Sequence, residues 1–146
     1  MSQIRALAVC VFRREDCILV IEANDQVKGE TFYRPLGGGI EFGETSLDAV
    51  KREIREEIGA EITDLEYLGV LENIFTYDGE PGHEIVQIYD GRFLNDSLYL
   101  VAQIQGVESN GVPMTVLWKP LSYFSARHPL YPSGLMNLLQ KARHEA

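Results

Sequence analysis

The chain has 146 residues, 45% hydrophobic and 24% charged, a composition that suits one globular domain over residues 1–146 and excludes a disordered chain. Thirteen Lys and Arg against 22 Asp and Glu leave a formal charge of −9. Such a surface repels nucleic acid, and a phosphate-bearing substrate needs metal cations or a local Arg/Lys cluster to be held. The longest apolar run, Ala6 to Phe12, has seven residues, too short to cross a bilayer, and it lacks a signal-peptide profile. Cys10 and Cys17 form no CxxC pair and read as reduced thiols of a cytoplasmic protein.

In chain order, Ile4 to Arg13 and Cys17 to Glu22 are apolar runs on either side of Arg14-Glu15-Asp16, which predicts a hairpin. Asn24 to Glu30 is polar and reads as a loop. Gly37-Gly38-Gly39 reads as a flexible connection whose backbone can approach a ligand closely, followed by a short strand at Ile40, Glu41 and Phe42. A helix follows. Thr45 and Asp48 have capping-box spacing, Gly59 suits the C-terminal cap, and Leu47, Val50, Ile54 and Ile58 recur at helical spacing between them. Leu65 to Tyr77 and His83 to Leu94 read as strands separated by a loop over Asp78 to Gly82. Pro113 to Trp118 reads as a further strand. Pro132 is expected to open a terminal helix with Leu135, Leu138, Leu139 and Ala142 on its buried side. Lys141, Arg143 and His144 fall in its last turn, where cations suit the helix dipole. This order predicts an α/β fold, a mixed sheet with helices on its faces.

The central helix carries the chemistry. At about 100° per residue, Glu53, Glu56 and Glu57 fall within an arc of about 100°. That arc is centred about 110° from the apolar stripe. Three like charges at this spacing repel by a few tenths of a kcal/mol per pair, and Arg52, four residues before Glu56, offsets part of that. A divalent cation would offset far more, and carboxylates are the ligands that hard Mg²⁺ or Mn²⁺ prefers. Upstream, the bare backbone of Gly37 to Gly39 can offer carbonyls to a metal or N–H groups to a phosphate. Arg34 can pair with phosphate oxygens bidentately. Three glutamates on a helix are more often just a solvated face.

The spacing changes that weighting. Gly38 is followed after five residues by Glu44, and after seven more by Arg52-Glu53-Ile54, then Glu56-Glu57 and Gly59. Over the 23 residues from Gly38 to Ala60 this resembles the Nudix box of the Nudix hydrolases, departing only at Ala60, where the family has a bulkier aliphatic residue. Average composition makes a chance match about one in 10⁶, which outweighs the solvated-face reading.

The resemblance implies an α/β/α sandwich with a mixed sheet. It implies hydrolysis of a nucleoside diphosphate linked to another moiety, such as a dinucleoside polyphosphate, a nucleotide sugar including ADP-ribose, or a nucleoside triphosphate. Mg²⁺ or Mn²⁺ would be held by Glu53, Glu56 and Glu57, with the Gly37 carbonyl as a further ligand and Glu53 orienting or deprotonating water. Arg52 would hold the carboxylates, and Glu44 the loop or a water. Arg34, Gly38 and Glu44 would lie at the substrate. Glu84 is the first candidate for an acidic ligand outside the box, ahead of Glu108 and Glu72. Tyr33, Phe75, Tyr77 and Tyr89 are candidates to stack on a base, with Tyr77 placed as in dinucleoside polyphosphate hydrolases of the family. Trp118 is expected to anchor packing. The partner is a small nucleotide, with no nucleic acid or membrane, and a homodimer is compatible with the family. A nucleotide-binding module that senses without cleaving is the alternative, disfavoured because all the box carboxylates are present.

Overall fold

Among the described residues, which are 2–145 of a computed structural model with side chains through Lys141, the chain forms nine strands and two α-helices. They run β1 (Ile4–Val11), β2 (Arg13–Arg14), β3 (Cys17–Asp25), β4 (Glu30–Arg34), β5 (Leu36–Gly39), α1 (Ser46–Ile58), β6 (Ile62–Tyr77), β7 (Glu80–Phe93), β8 (Gln103–Val107), β9 (Pro113–Pro120) and α2 (Leu135–Glu145). A mixed sheet has the order β5-β1-β7-β6, with β1 and β7 parallel. An antiparallel sheet has the order β2-β3-β9-β8, with β4 also paired to β3.

The apolar run of β1 alternates between two cores because successive strand side chains point to opposite faces. Ala8, Cys10 and Phe12 pack in a cluster with Ala49, Val50 and Ile54 of α1. Val9 and Val11 pack in a second cluster with Leu135 and Leu139 of α2. The mixed sheet therefore carries a helix on each face, the expected α/β/α sandwich. Ile54 is fully buried, and its truncation to Ala costs about 2–5 kcal/mol.

Helix α1 begins and ends as its sequence predicts. Thr45 Oγ1 accepts the Asp48 N–H at 3.1 Å. Gly59 turns left-handed at φ 67° and donates its N–H to the Arg55 carbonyl, a conformation that glycine adopts without Cβ strain.

Several elements differ from the sequence reading. The hairpin after β1 shrinks to Arg13 and Arg14 paired with Ile18 and Cys17, while β1 itself inserts between β5 and β7. A continuous apolar run suits a strand buried on both faces better than a one-sided hairpin arm. Gly37 to Gly39 is strand β5, paired with Val9, Ala8 and Leu7 of β1, and Ile40 to Phe42 is not a strand. Of the polar stretch from Asn24 to Glu30, expected as a loop, Asn24, Asp25 and Glu30 belong to the paired strands β3 and β4, and only residues 26–29 form the turn between them. The long loop expected between β6 and β7 is a two-residue turn, since Tyr77 pairs with Glu80 and both Asp78 (φ 51°) and Gly79 (φ 84°) are left-handed. Asp-Gly is the sequence that such a turn favours. The second sheet and β8 have no counterpart in the sequence reading. Helix α2 starts at Leu135, three residues beyond Pro132, and the expected contacts of Ala142, Arg143 and His144 lie outside the described side chains. No described helix is long and apolar enough to cross a membrane.

Candidate active site

A cleft of about 730 Å³ opens where β5 and α1 meet the mixed sheet. Its first wall is bare backbone. A Cβ on Gly37 (φ 142°) would collide with the Ala8 carbonyl of the neighbouring strand, and one on Gly38 would collide with the Glu53 carboxylate. Only glycine lets β5 lie flat on β1 while Glu53 rests against it.

Glu57 comes from the inward side of α1 and is 6% exposed. The expectation that it projects with Glu53 and Glu56, away from the apolar stripe, is corrected. It lies three residues after Ile54 and seven after Val50, and so shares their face. Its Oε1 accepts the Gly37 N–H at 3.0 Å. Burial pushes its carboxyl up to about 8, against the pull of Arg34 and the Gly37 N–H, while Glu53 and Glu108 add to the rise. Glu53 and Glu57 line the cleft, whereas Glu56 does not.

Arg52 ties the remaining carboxylates together. Its Nε and Nη2 donate to the two oxygens of Glu44 at 2.8 and 2.9 Å, a bidentate pair. Its Nη1 donates to Glu53 at 3.0 Å and Glu56 at 3.1 Å, and its Nη2 also donates to the Gly39 carbonyl at 2.9 Å. The Arg52 hydrogen bonds, with the Glu41 N–H, hold the Glu44 carboxyl down at about 2. The same pairing raises the already high pKa of Arg52. Glu44 thus braces Arg52 and does not line the cleft.

Arg34 lines the cleft with its Nη2 3.8 Å from Glu108, a residue just beyond β8. Glu84 also lines it, on β7, with Arg5 Nη1 at 3.9 Å, whereas Glu72 on the adjoining strand is exposed and outside the lining. Among the described residues no three Asp, Glu, His or Cys side chains converge as a ready-made metal cage. The donor chemistry nonetheless fits a hard dication, because Glu53 and Glu57 supply carboxylate oxygens beside the glycine backbone that lines the cleft.

The opposite end of the cleft is aromatic. Phe32 meets Tyr77 edge-on at 5.7 Å and Tyr131 at 5.5 Å, and Phe75 joins them in the lining. Tyr77 donates its hydroxyl to the Asn24 carbonyl at 3.2 Å. Of the other stacking candidates, Tyr33 and Tyr89 are buried in the two cores. Trp118 anchors packing, with Arg14 4.7 Å above its ring and its Nε1 donating to the Leu98 carbonyl. Sequence reasoning missed Arg5, Phe32, Asn73 and Tyr131 in the cleft. Their placement depends on strand register, and alternation within one strand does not reveal it.

This geometry accords with what the chain resembles. A family model described as the NUDIX domain matches residues 1–110. The chain belongs to the NUDIX family. A relative in Pseudomonas aeruginosa (strain LESB58), named NAD-capped RNA hydrolase NudC, is 38% identical over 61 residues, which are 42% of this chain and 21% of that protein. The chain thus matches only about a fifth of that relative's length. The crystal structure of a MutT NUDIX hydrolase from Burkholderia pseudomallei superposes with a TM-score of 0.66 at 24% identity, covering 95% of this chain and 98% of the other. A NUDIX hydrolase from Nitrosomonas europaea gives 0.66 at 14% identity over 98% and 90%. These NUDIX relatives are named hydrolases, and the structural neighbours share the α/β/α fold.

Proposed function

We propose that this NUDIX protein is a divalent-metal-dependent hydrolase of the phosphoanhydride bond in a nucleoside diphosphate linked to another moiety. The observation that carries the reading is Glu53 and Glu57 set against bare glycine backbone in one cleft with Arg34. Glu53, Glu56 and Glu57 would hold Mg²⁺ or Mn²⁺, with the Gly37 carbonyl as a further candidate ligand. The ion supplies charge neutralisation and lowers the pKa of bound water. Glu53 accepts the proton of the attacking water. Arg34 pairs with non-bridging phosphate oxygens, and the geometry of the pair lets Glu108 release it to do so. Arg52 fixes Glu53 and Glu56, which limits the reorganisation left for the reaction itself. The aromatic end gives a base or other flat ring an apolar face to stack on. NAD, which appears in the name of the Pseudomonas relative, is itself a nucleoside diphosphate linked to a second nucleoside and falls within this class.

The test is a hydrolysis screen with Mg²⁺ and with Mn²⁺, over diadenosine polyphosphates, ADP-ribose, nucleotide sugars, NADH, CoA and nucleoside triphosphates. Metal-dependent cleavage of a phosphoanhydride, abolished by Glu57→Gln, is the expected result. Silence across the panel from a folded protein that still binds nucleotide would overturn the hydrolase reading in favour of a sensor.

A further inference from the structure

Three polar residues cross the floor of the cleft on three adjacent strands. Asn73 of β6 is paired with Glu84 of β7, and Glu84 with Arg5 of β1. Paired residues point to the same face of a sheet, and all three line the cleft. Their neighbours on that face, Leu7, Val9 and Val86, are apolar, so the row is a polar strip in an otherwise greasy floor.

Asn73 is the informative member. It is 5% exposed, and its Oδ1 accepts the Ser133 N–H at 3.1 Å just before α2. That bond fixes which amide atom is which, since only the oxygen can accept. With Oδ1 engaged by Ser133, Nδ2 is the donor that this cleft-lining residue can offer to a ligand. Glu84, beside it, is largely buried and has a single long ion pair, to the exposed Arg5.

The strip therefore reads donor, acceptor, donor. A phosphate would suit Arg5 and Asn73 but would meet the Glu84 carboxylate between them. A vicinal diol meets no such repulsion. Each of its hydroxyls donates to one Glu84 oxygen and accepts from Asn73 Nδ2 or from the Arg5 guanidinium, so every partner in the row is satisfied.

We infer that Asn73, Glu84 and Arg5 form a sugar-recognition strip that selects substrates carrying a cis-diol, and that Glu84 acts there as a hydrogen-bond acceptor. The inference builds on the proposed hydrolysis of a nucleotide derivative and narrows it to substrates with an intact ribose or related sugar.

Calorimetry in EDTA tests it without relying on turnover or metal. ADP-ribose presents a diol whichever of its riboses lies on the strip, and 2′,3′-dideoxy-ADP presents none. The wild type binds ADP-ribose at least about tenfold tighter, as two or more hydrogen bonds of ordinary strength require. Glu84→Gln and Asn73→Ala each erode that preference about three- to tenfold, with melting curves checking that both variants fold. The sign for Glu84→Gln is decisive. A strip that takes phosphate would bind both ligands more tightly once the carboxylate is gone, and a Glu84 that serves only as a metal ligand would leave metal-free affinity unchanged. Either result overturns the inference, as does failure of ADP-ribose to bind in EDTA. Hydrolysis of any phosphoanhydride by the wild type leaves the hydrolase reading standing in that event.

Discussion

The two ends of the cleft are built by opposite means. At the α1 end, four carboxylates surround one guanidinium and one strand of bare backbone, and each charged group is held by hydrogen bonds of 2.8–3.1 Å. At the aromatic end, Phe32, Tyr77 and Tyr131 meet edge-on, and the polar work is local. Asp25 accepts the backbone N–H groups of Val27, Lys28 and Asp78, which pins the β3–β4 and β6–β7 turns to each other and keeps its carboxyl below the usual range. The charged end supplies electrostatic positioning. The aromatic end supplies contact area with little directional demand. Changes at the first should strike the rate, and changes at the second should strike affinity.

Glu57→Gln is the hardest blow to that contrast. Glutamine keeps an acceptor for the Gly37 N–H and removes the carboxylate charge, so turnover is expected to fall by about 10³-fold with the circular dichroism spectrum unchanged. Near-full activity would remove Glu57 from the site. Next comes Arg52. Alanine should lower kcat by about 10- to 100-fold, the usual cost of losing a group that orients ligands. Lysine should fail to restore it, because a point charge cannot reproduce the bidentate hold on Glu44 together with the bonds to Glu53 and Glu56. Steady-state kinetics of the two variants decide this, and full rescue by Lys would show that only the charge matters. Phe32→Ala, at the other end, should raise KM about tenfold with kcat changed less than about threefold. A loss confined to kcat would abolish the proposed division.

How legible each end was in the sequence follows from the range of the interactions that build it. Helix α1 was readable because its caps and its 3.6-residue period are local, and the spacing from Gly38 through Glu44 and Arg52 to Glu57 lies on one continuous stretch. Even there the inward placement of Glu57 was missed, although its seven-residue separation from Val50 contains it. Gly-Gly-Gly carries no side-chain pattern and on its own suggests flexibility, and its strand character comes from pairing with β1. Strand β8 has the sequence Gln-Ile-Gln-Gly-Val, whose weak alternation becomes a strand only beside β9. The row of Asn73, Glu84 and Arg5 depends on the register of three strands drawn from distant parts of the chain, and so does the union of Phe32 with Tyr131. Local patterns therefore predicted the charged end, and only the assembled sheets revealed the floor and the aromatic end.

The smallest effect expected is one of acid stability, and it probes the brace beneath the charged end. Glu44 has its carboxyl lowered from 4.5 to about 2, chiefly by its hydrogen bonds from Arg52. A group whose pKa is depressed by folding contributes stability above its unfolded pKa and loses that contribution as pH falls through its folded one. The melting temperature of the wild type should therefore exceed that of Glu44→Gln near neutral pH. The gap should begin to narrow below about pH 4.5 and close as pH approaches about 2. Arg52 stays charged throughout, so protonation of Glu44 accounts for the narrowing, and comparison with the variant cancels carboxylates common to both proteins, Asp25 included. The size is modest because the pair is in contact with solvent. A gap that held constant down to pH 3 would mean that Glu44 braces Arg52 by shape alone, and the electrostatic account of this end of the cleft would need to be rebuilt around Glu53 and Glu56.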